Sequence, residues 1–141
     1  MAGSVGGVIQ RYLAATIIWG HHTAQELGLS STEFATLVQL NQAPASPAEL
    51  ARTTGLSAAA VSRMVERLVE RGYAERVADP SDRRRILIHR TDNWQARIDE
   101  AVEPHRRAMR ELFGDLEPEA VEQVLTYMER AEPMLRELAA R

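Results

Sequence analysis

The chain has 141 residues, 45% of them hydrophobic, a formal net charge of −3 and no cysteine. That length fits one domain of ordinary size or a small domain with helical extensions, and the apolar fraction is enough to fill a core. Without cysteine there is no disulfide and no thiolate metal site. No apolar run approaches the roughly 20 residues of a membrane span, and Met1 to Gly7 is a Gly/Ser-rich lead-in without a basic-then-apolar leader, so a cytoplasmic protein with no membrane partner is expected.

The charge is unevenly spread. From Pro47 to Thr91 nine arginines face six acids, a local surplus of +3, which leaves −6 for the rest. All 17 basic residues are arginine. A basic segment in an acidic chain points to a localised polyanion contact.

In chain order, Val8/Ile9, Tyr12/Leu13, Thr16/Ile17 and Gly20 recur at helical spacing and predict a helix from Val8 to Leu27, with Gly28 as its C-cap. Ser30 and Glu33 have capping-box spacing and open a helix to about Gln42 that buries Phe34, Leu37, Val38 and Leu40. Pro44 ends it. Ser46-Pro47-Ala48-Glu49 is a second capping box with Pro at the first helical position, and Gly55 stops that short helix. Ser57 caps the next, whose Val61, Met64, Val65 and Leu68 share one face. Its other face carries Ala58, Ala59, Ser62, Arg63, Glu66 and Arg67, and Gly72 closes it. Two helices around such a Gly-containing turn make a helix-turn-helix.

A strand from Tyr73 to Ala78, a tight turn at Asp79-Pro80-Ser81-Asp82 and a return strand from Arg84 to His89 predict a β-hairpin wing. Thr91 or Asp92 caps a long helix to about Phe113, kinked at Pro104 and broken at Gly114. Glu117-Pro118 opens a last helix to about Ala140, with Leu116, Val121, Val124/Leu125, Met128 and Leu135 as its stripe, kinked or ended at Pro133. The expected class is mainly α with a small β-wing: a winged helix-turn-helix core plus N- and C-terminal helices. So small a core cannot cover the apolar stripes at both chain ends, which implies a helical homodimer interface.

The run A-E-L-A-x-x-x-G-L-S-x-x-x-V-S-R-x-V from Ala48 to Val65 and the wing pattern D-x-R-x-x-x-I at Asp82, Arg84 and Ile88 resemble the multiple-antibiotic-resistance-regulator (MarR) family of bacterial winged-helix repressors. The resemblance covers nearly the whole chain. It departs at Arg90, where the family carries an apolar residue before Thr91, and at Trp94, where a small residue is common. It implies one domain over residues 1–141, with a DNA-binding part at 30–91 and dimerisation helices at 5–28 and 92–141. It also implies a homodimeric repressor of a pseudo-palindromic double-stranded operator, relieved by a small-molecule effector. By matching position, Ser57, Ala59, Ala60, Ser62 and Arg63 face bases or phosphates, Arg84 is the wing-tip arginine and Asp82 holds the wing.

The residue chemistry agrees with those roles. Small Ala58, Ala59 and Ala60 let a helix N-terminus approach closely, its free N–H groups favour phosphate, and Arg63 can take a guanine edge. Ser46 and Arg67 are further candidate contacts. Arg83, Arg84 and Arg85 suit a narrow minor groove, where negative potential is deepest. Asp82, free, would repel phosphate, so an ion pair with Arg84 or Arg76 is expected. The alternatives are a surface helix rich in alanine for propensity and a solvated charge run.

Four histidines, His21, His22, His89 and His105, do not suggest a metal site. The adjacent pair points about 100° apart on a helix, and His89 sits on the wing, so neither metal nor cofactor is expected. Tyr12, Trp19, Phe34 and Trp94 could wall a pocket for an aromatic effector; plain core packing is the competing reading. No nucleophile-base motif, phosphate loop or H-E-x-x-H pattern supports an enzyme. A winged-helix protein-interaction or architectural module is the remaining alternative. A dimer reading one face of B-DNA needs recognition helices roughly 34 Å apart.

Overall fold

The computed structural model describes residues 3–140. Eight elements follow in the order α1 (Val5–Glu26), α2 (Ser31–Leu40), α3 (Pro47–Thr54), α4 (Ala58–Glu70), β1 (Ala74–Ala78), β2 (Ile86–Arg90), α5 (Asp92–Gly114) and α6 (Pro118–Ala139). The mainly α fold with a two-stranded wing is as the sequence predicts.

Serine and threonine caps set most of the helix starts. Ser30 and Ser46 each accept the N–H of the glutamate three residues on, whose carboxylate takes the serine N–H in return. Ser57 accepts from Ala60 N, and Thr91 from Trp94 N. Helix α1 begins earlier than the apolar periodicity suggests, because Ser4 accepts from Gly7 N and draws Val5 to Gly7 into the first turn. Gly55 (φ 72°) supplies the left-handed residue of the helix-turn-helix, and Gly72 (φ 74°) the one that turns α4 into the wing. Pro104 and Pro133 both lie inside unbroken helices, so Pro133 does not end α6, and Gly114 is the last residue of α5.

The core gathers where α2, α3 and α4 meet the wing and the first half of α5. Leu37, Leu50, Val61, Met64, Leu68, Ile88, Trp94 and Ile98 are all essentially inaccessible. Trp94 is its centre: its ring packs edge-on to Phe34 and Tyr73, and its Nε1 donates to Asn41 Oδ1 at 3.0 Å. The bulky residue at this position is therefore accommodated as core. Val38 is exposed rather than buried, while Thr36 takes an interior place, donating to Thr32 O.

Strands β1 and β2 pair antiparallel from Ala74↔Arg90 to Ala78↔Ile86. Ala45, ahead of α3, adds a bridge to Ile88 through Ala45 N–Ile88 O (3.1 Å) and Ile88 N–Ala45 O (2.7 Å). The wing is thereby tied to the helix-turn-helix by main-chain bonds.

Outside this core the apolar stripes are bare. Val5, Val8, Ile9, Tyr12, Leu13, Ile17 and Ile18 of α1 are exposed, as are Leu125, Tyr127, Met128, Met134, Leu135 and Leu138 of α6. No residue of α6 is buried. No described helix is long and apolar enough to cross a membrane.

Candidate nucleic-acid interface

Helix α4 buries Val61, Met64, Val65 and Leu68 and turns Ala58, Ala59, Ser62, Arg63, Glu66 and Arg67 outward, with Ala60 half-buried. The Ser57 hydroxyl occupies one free N–H at its start, that of Ala60, and three small side chains follow. The result is an N-terminal end that a groove wall or phosphate can approach closely.

The wing turn is longer than the sequence suggests. Asp79 N donates to Arg85 O, closing the hairpin, and two successive turns lie within it. In the first, Asp82 N donates to Asp79 O; in the second, Arg85 N donates to Asp82 O, which puts Arg83 and Arg84 at the tip. Arg84 and Arg85 therefore belong to the loop and not to the return strand, which starts at Ile86. All three arginines are exposed.

The expected ion pair of Asp82 with Arg84 or Arg76 does not form. Asp82 Oδ1 accepts from the Arg84 backbone N at 3.1 Å, so it shapes the second turn and leaves the guanidinium free. Arg76 has no acidic partner within 4.0 Å among the described residues. The acid that faces an arginine is Asp79, 8% exposed. It accepts from Ser81 N and Oγ and stands 4.0 Å from Arg85. Those hydrogen bonds from Ser81, followed by the Arg85 charge, hold its carboxyl below the ordinary range.

Of three further candidates, Ser46 is placed differently from expectation, and Arg67 and Arg85 are exposed as expected but hold acidic partners. Ser46 is 6% exposed and its hydroxyl is committed to Glu49 N, so it faces inward as a cap. Arg67 Nε donates to Glu33 Oε1 at 2.8 Å. Arg85 donates to Glu49 Oε1 at 3.3 Å. Arg63, Arg83 and Arg84 have no acidic partner within 4.0 Å among the described residues. Glu33, Glu49 and Asp79, which the sequence marked only as caps or turn formers, are thus the acids that face arginines of α4 and the wing. The arginine partners of Glu33 and Glu49 are distant in the chain, and no periodicity points to them.

Of the four aromatics expected to wall a pocket, three lie side by side as core packing: Trp19 is edge-on to Phe34 at 6.3 Å between ring centres, and Phe34 to Trp94 at 6.5 Å. Trp19 also stacks on His105 at 4.2 Å, while Tyr12 is 60% exposed on α1. The groove at the α1–α5 junction, about 410 Å³, is lined instead by Glu26, Leu27, Arg97, Glu100, Ala101 and Pro104. Among the described residues no three His, Asp or Glu side chains cluster as metal ligands would.

A model of the MarR family matches residues 27–85, the span from the end of α1 to the wing tip. The chain is 31% identical over 123 residues to YcgE of Bacillus subtilis, an uncharacterised HTH-type transcriptional regulator, covering 86% of this chain and 80% of that one. It is 36% identical over 85 residues to the HTH-type transcriptional repressor NicR of Pseudomonas putida, covering 60% of this chain but only 53% of NicR. Among solved structures, BpsR of Bordetella bronchiseptica is 26% identical with a TM-score of 0.57 over 91% of each chain. Its structure is described as the mechanism by which 6-hydroxynicotinic acid regulates its DNA binding. RV1404 of Mycobacterium tuberculosis, at 24% identity, shares the fold with a TM-score of 0.67 over 92% of this chain and 96% of its own. With a winged helix-turn-helix whose helix and wing tip present uncommitted arginines, and relatives along most of its length, the chain belongs to the MarR family of DNA-binding transcriptional regulators.

Proposed function

We propose that the protein is a homodimeric, cytoplasmic repressor that binds a pseudo-palindromic operator and releases it when a small molecule binds. The observation that carries this reading is that Arg63, on the exposed face of α4, and Arg83 and Arg84, on the wing tip, are all exposed and without acidic partners among the described residues. Ser57, Ala58, Ala59, Ala60, Ser62 and Arg63 enter the major groove, and Arg83 and Arg84 reach the flanking minor groove. The dimer is supported by the bare apolar stripes of α1 and α6, too extensive for a monomer surface. Ligand relief is supported by likeness to BpsR, whose DNA binding is regulated by 6-hydroxynicotinic acid.

The test is a shift assay with the DNA upstream of the protein's own gene, competed by random duplex, alongside light scattering for oligomeric state. Retention of the upstream fragment against excess random duplex by a species of two chains is expected. Binding without sequence preference leaves an architectural role, and no binding at low salt leaves a protein-interaction module.

A further inference from the structure

The two capping boxes do more than start helices. In each, one carboxylate oxygen accepts the serine N–H: Glu33 Oε2 from Ser30 at 3.0 Å, Glu49 Oε2 from Ser46 at 2.7 Å. In each, the other oxygen accepts from an arginine of the DNA face: Glu33 Oε1 from Arg67 of α4, Glu49 Oε1 from Arg85 of the wing. The cap bond fixes the glutamate rotamer, so the arginine meets an acceptor that is already immobile. Glu33 is the firmer of the two, with a side chain only 10% exposed against 37% for Glu49. Burial opposes its charge, but the Ser30 N–H and the Arg67 guanidinium outweigh it and hold its carboxyl below the ordinary 4.5. The ion pair therefore persists at neutral pH.

We infer that Glu33, and more weakly Glu49, are specificity-determining residues that neutralise Arg67 and Arg85 and so withhold their charge from DNA, leaving Arg63 on α4 and Arg83 and Arg84 at the wing tip as the uncompensated cations of those two elements' DNA-facing surfaces. This rests on the DNA-reading role proposed above. Sequence-independent affinity comes from cations that displace counterions from phosphates. A guanidinium paired to a fixed carboxylate brings no net charge to that exchange. Removing such charges lowers binding to random duplex while leaving base contacts intact, and that ratio decides whether an operator is found among competing sites. Both glutamates act through the arginines they hold and touch no base themselves.

The experiment measures binding to a random-sequence duplex across a sodium chloride series for the wild type, Glu33→Gln, Arg67→Gln, their double variant and, as the reference for an unpaired arginine, Arg63→Gln. Glutamine keeps an acceptor for the Ser30 N–H while losing the charge. Glu33→Gln is expected to bind random duplex more tightly at low salt, with the log–log slope steeper by about 0.9 for each phosphate newly neutralised. The double variant is expected to keep the wild-type slope, and Arg67→Gln, which leaves the Glu33 carboxylate unpaired, to lower it by less than Arg63→Gln does. A Glu33→Gln slope equal to wild type, or an Arg67→Gln slope lowered as far as that of Arg63→Gln, overturns the inference. Arg67 is more than half exposed, so Arg67→Gln folds and decides the matter even where Glu33→Gln melts early. A wild type that fails to bind duplex at all defeats the DNA-reading proposal instead, and the two failures are distinguishable.

Discussion

Arg84→Ala isolates the wing. Arg84 sits at the wing tip, exposed, and its only described polar contact is its backbone N to Asp82 Oδ1, which alanine retains. The substitution should therefore leave stability within about 0.5 kcal/mol of wild type. The proposed dimer would bring six arginines without acidic partners among the described residues to the DNA, counting Arg63, Arg83 and Arg84 in each copy. At about 0.9 per neutralised phosphate, the wild-type slope is about −5.4, so affinity falls about 1,800-fold between 50 and 200 mM salt. Removing Arg84 from both subunits reduces the slope to about −3.6 and the fall to about 150-fold. Fluorescence anisotropy on operator duplex at several salt concentrations reads both. A slope change smaller than about 0.5, with melting temperature unchanged, refutes the placement of the wing on DNA.

Ser57→Ala removes the cap of α4 and should cost about 1 kcal/mol, read by denaturant unfolding, with operator affinity falling as the helix start frays. Trp94→Ala empties the centre of the core and should cost about 3–5 kcal/mol; a loss under 1 kcal/mol would mean that Phe34 and Tyr73 do not depend on it. Leu13→Glu with Ile17→Glu, on the bare face of α1, should give a folded monomer by light scattering that no longer retains operator DNA. Because the Glu33 carboxyl is held below 4.5 in the folded chain, its contribution is present at neutral pH and is lost as pH falls through that lowered value. Glu33→Gln should accordingly flatten the acid limb of the stability curve below pH 4.5, and an identical acid limb would contradict the pairing with Arg67.

Local signals carried most of the architecture. The capping boxes at Ser30 and Ser46, the cap at Ser57, and the left-handed positions at Gly55 and Gly72 lie within a few residues of what they control, so both the helix starts and the turn of the reading head are legible in order. The apolar spacing in α4 separates its buried from its exposed face for the same reason, since the helical period is a property of the segment itself. Where the signal is shorter than the structure, the sequence is less legible. The wing turn runs through two hydrogen-bonded turns to Arg85, although Asp79-Pro80-Ser81-Asp82 alone looks like a complete one.

What only the tertiary structure decided is which polar groups are already spoken for. Ser46 and Ser57 look alike as caps, yet one is buried beneath the Ala45–Ile88 bridge and the other stands at the exposed end of α4. Trp94 and Tyr12 are both aromatic residues on amphipathic helices, yet one is the hub of the core and the other is bare. Arg63 and Arg67 are one turn apart on the same face, but Glu33, 34 residues from Arg67 in sequence, reaches only the second. Composition placed a run of arginines near the right helix and turn. The fold, by bringing capping glutamates across from other helices, selected which of them are ion-paired, because an ion pair depends on distance in space and leaves no period in the sequence.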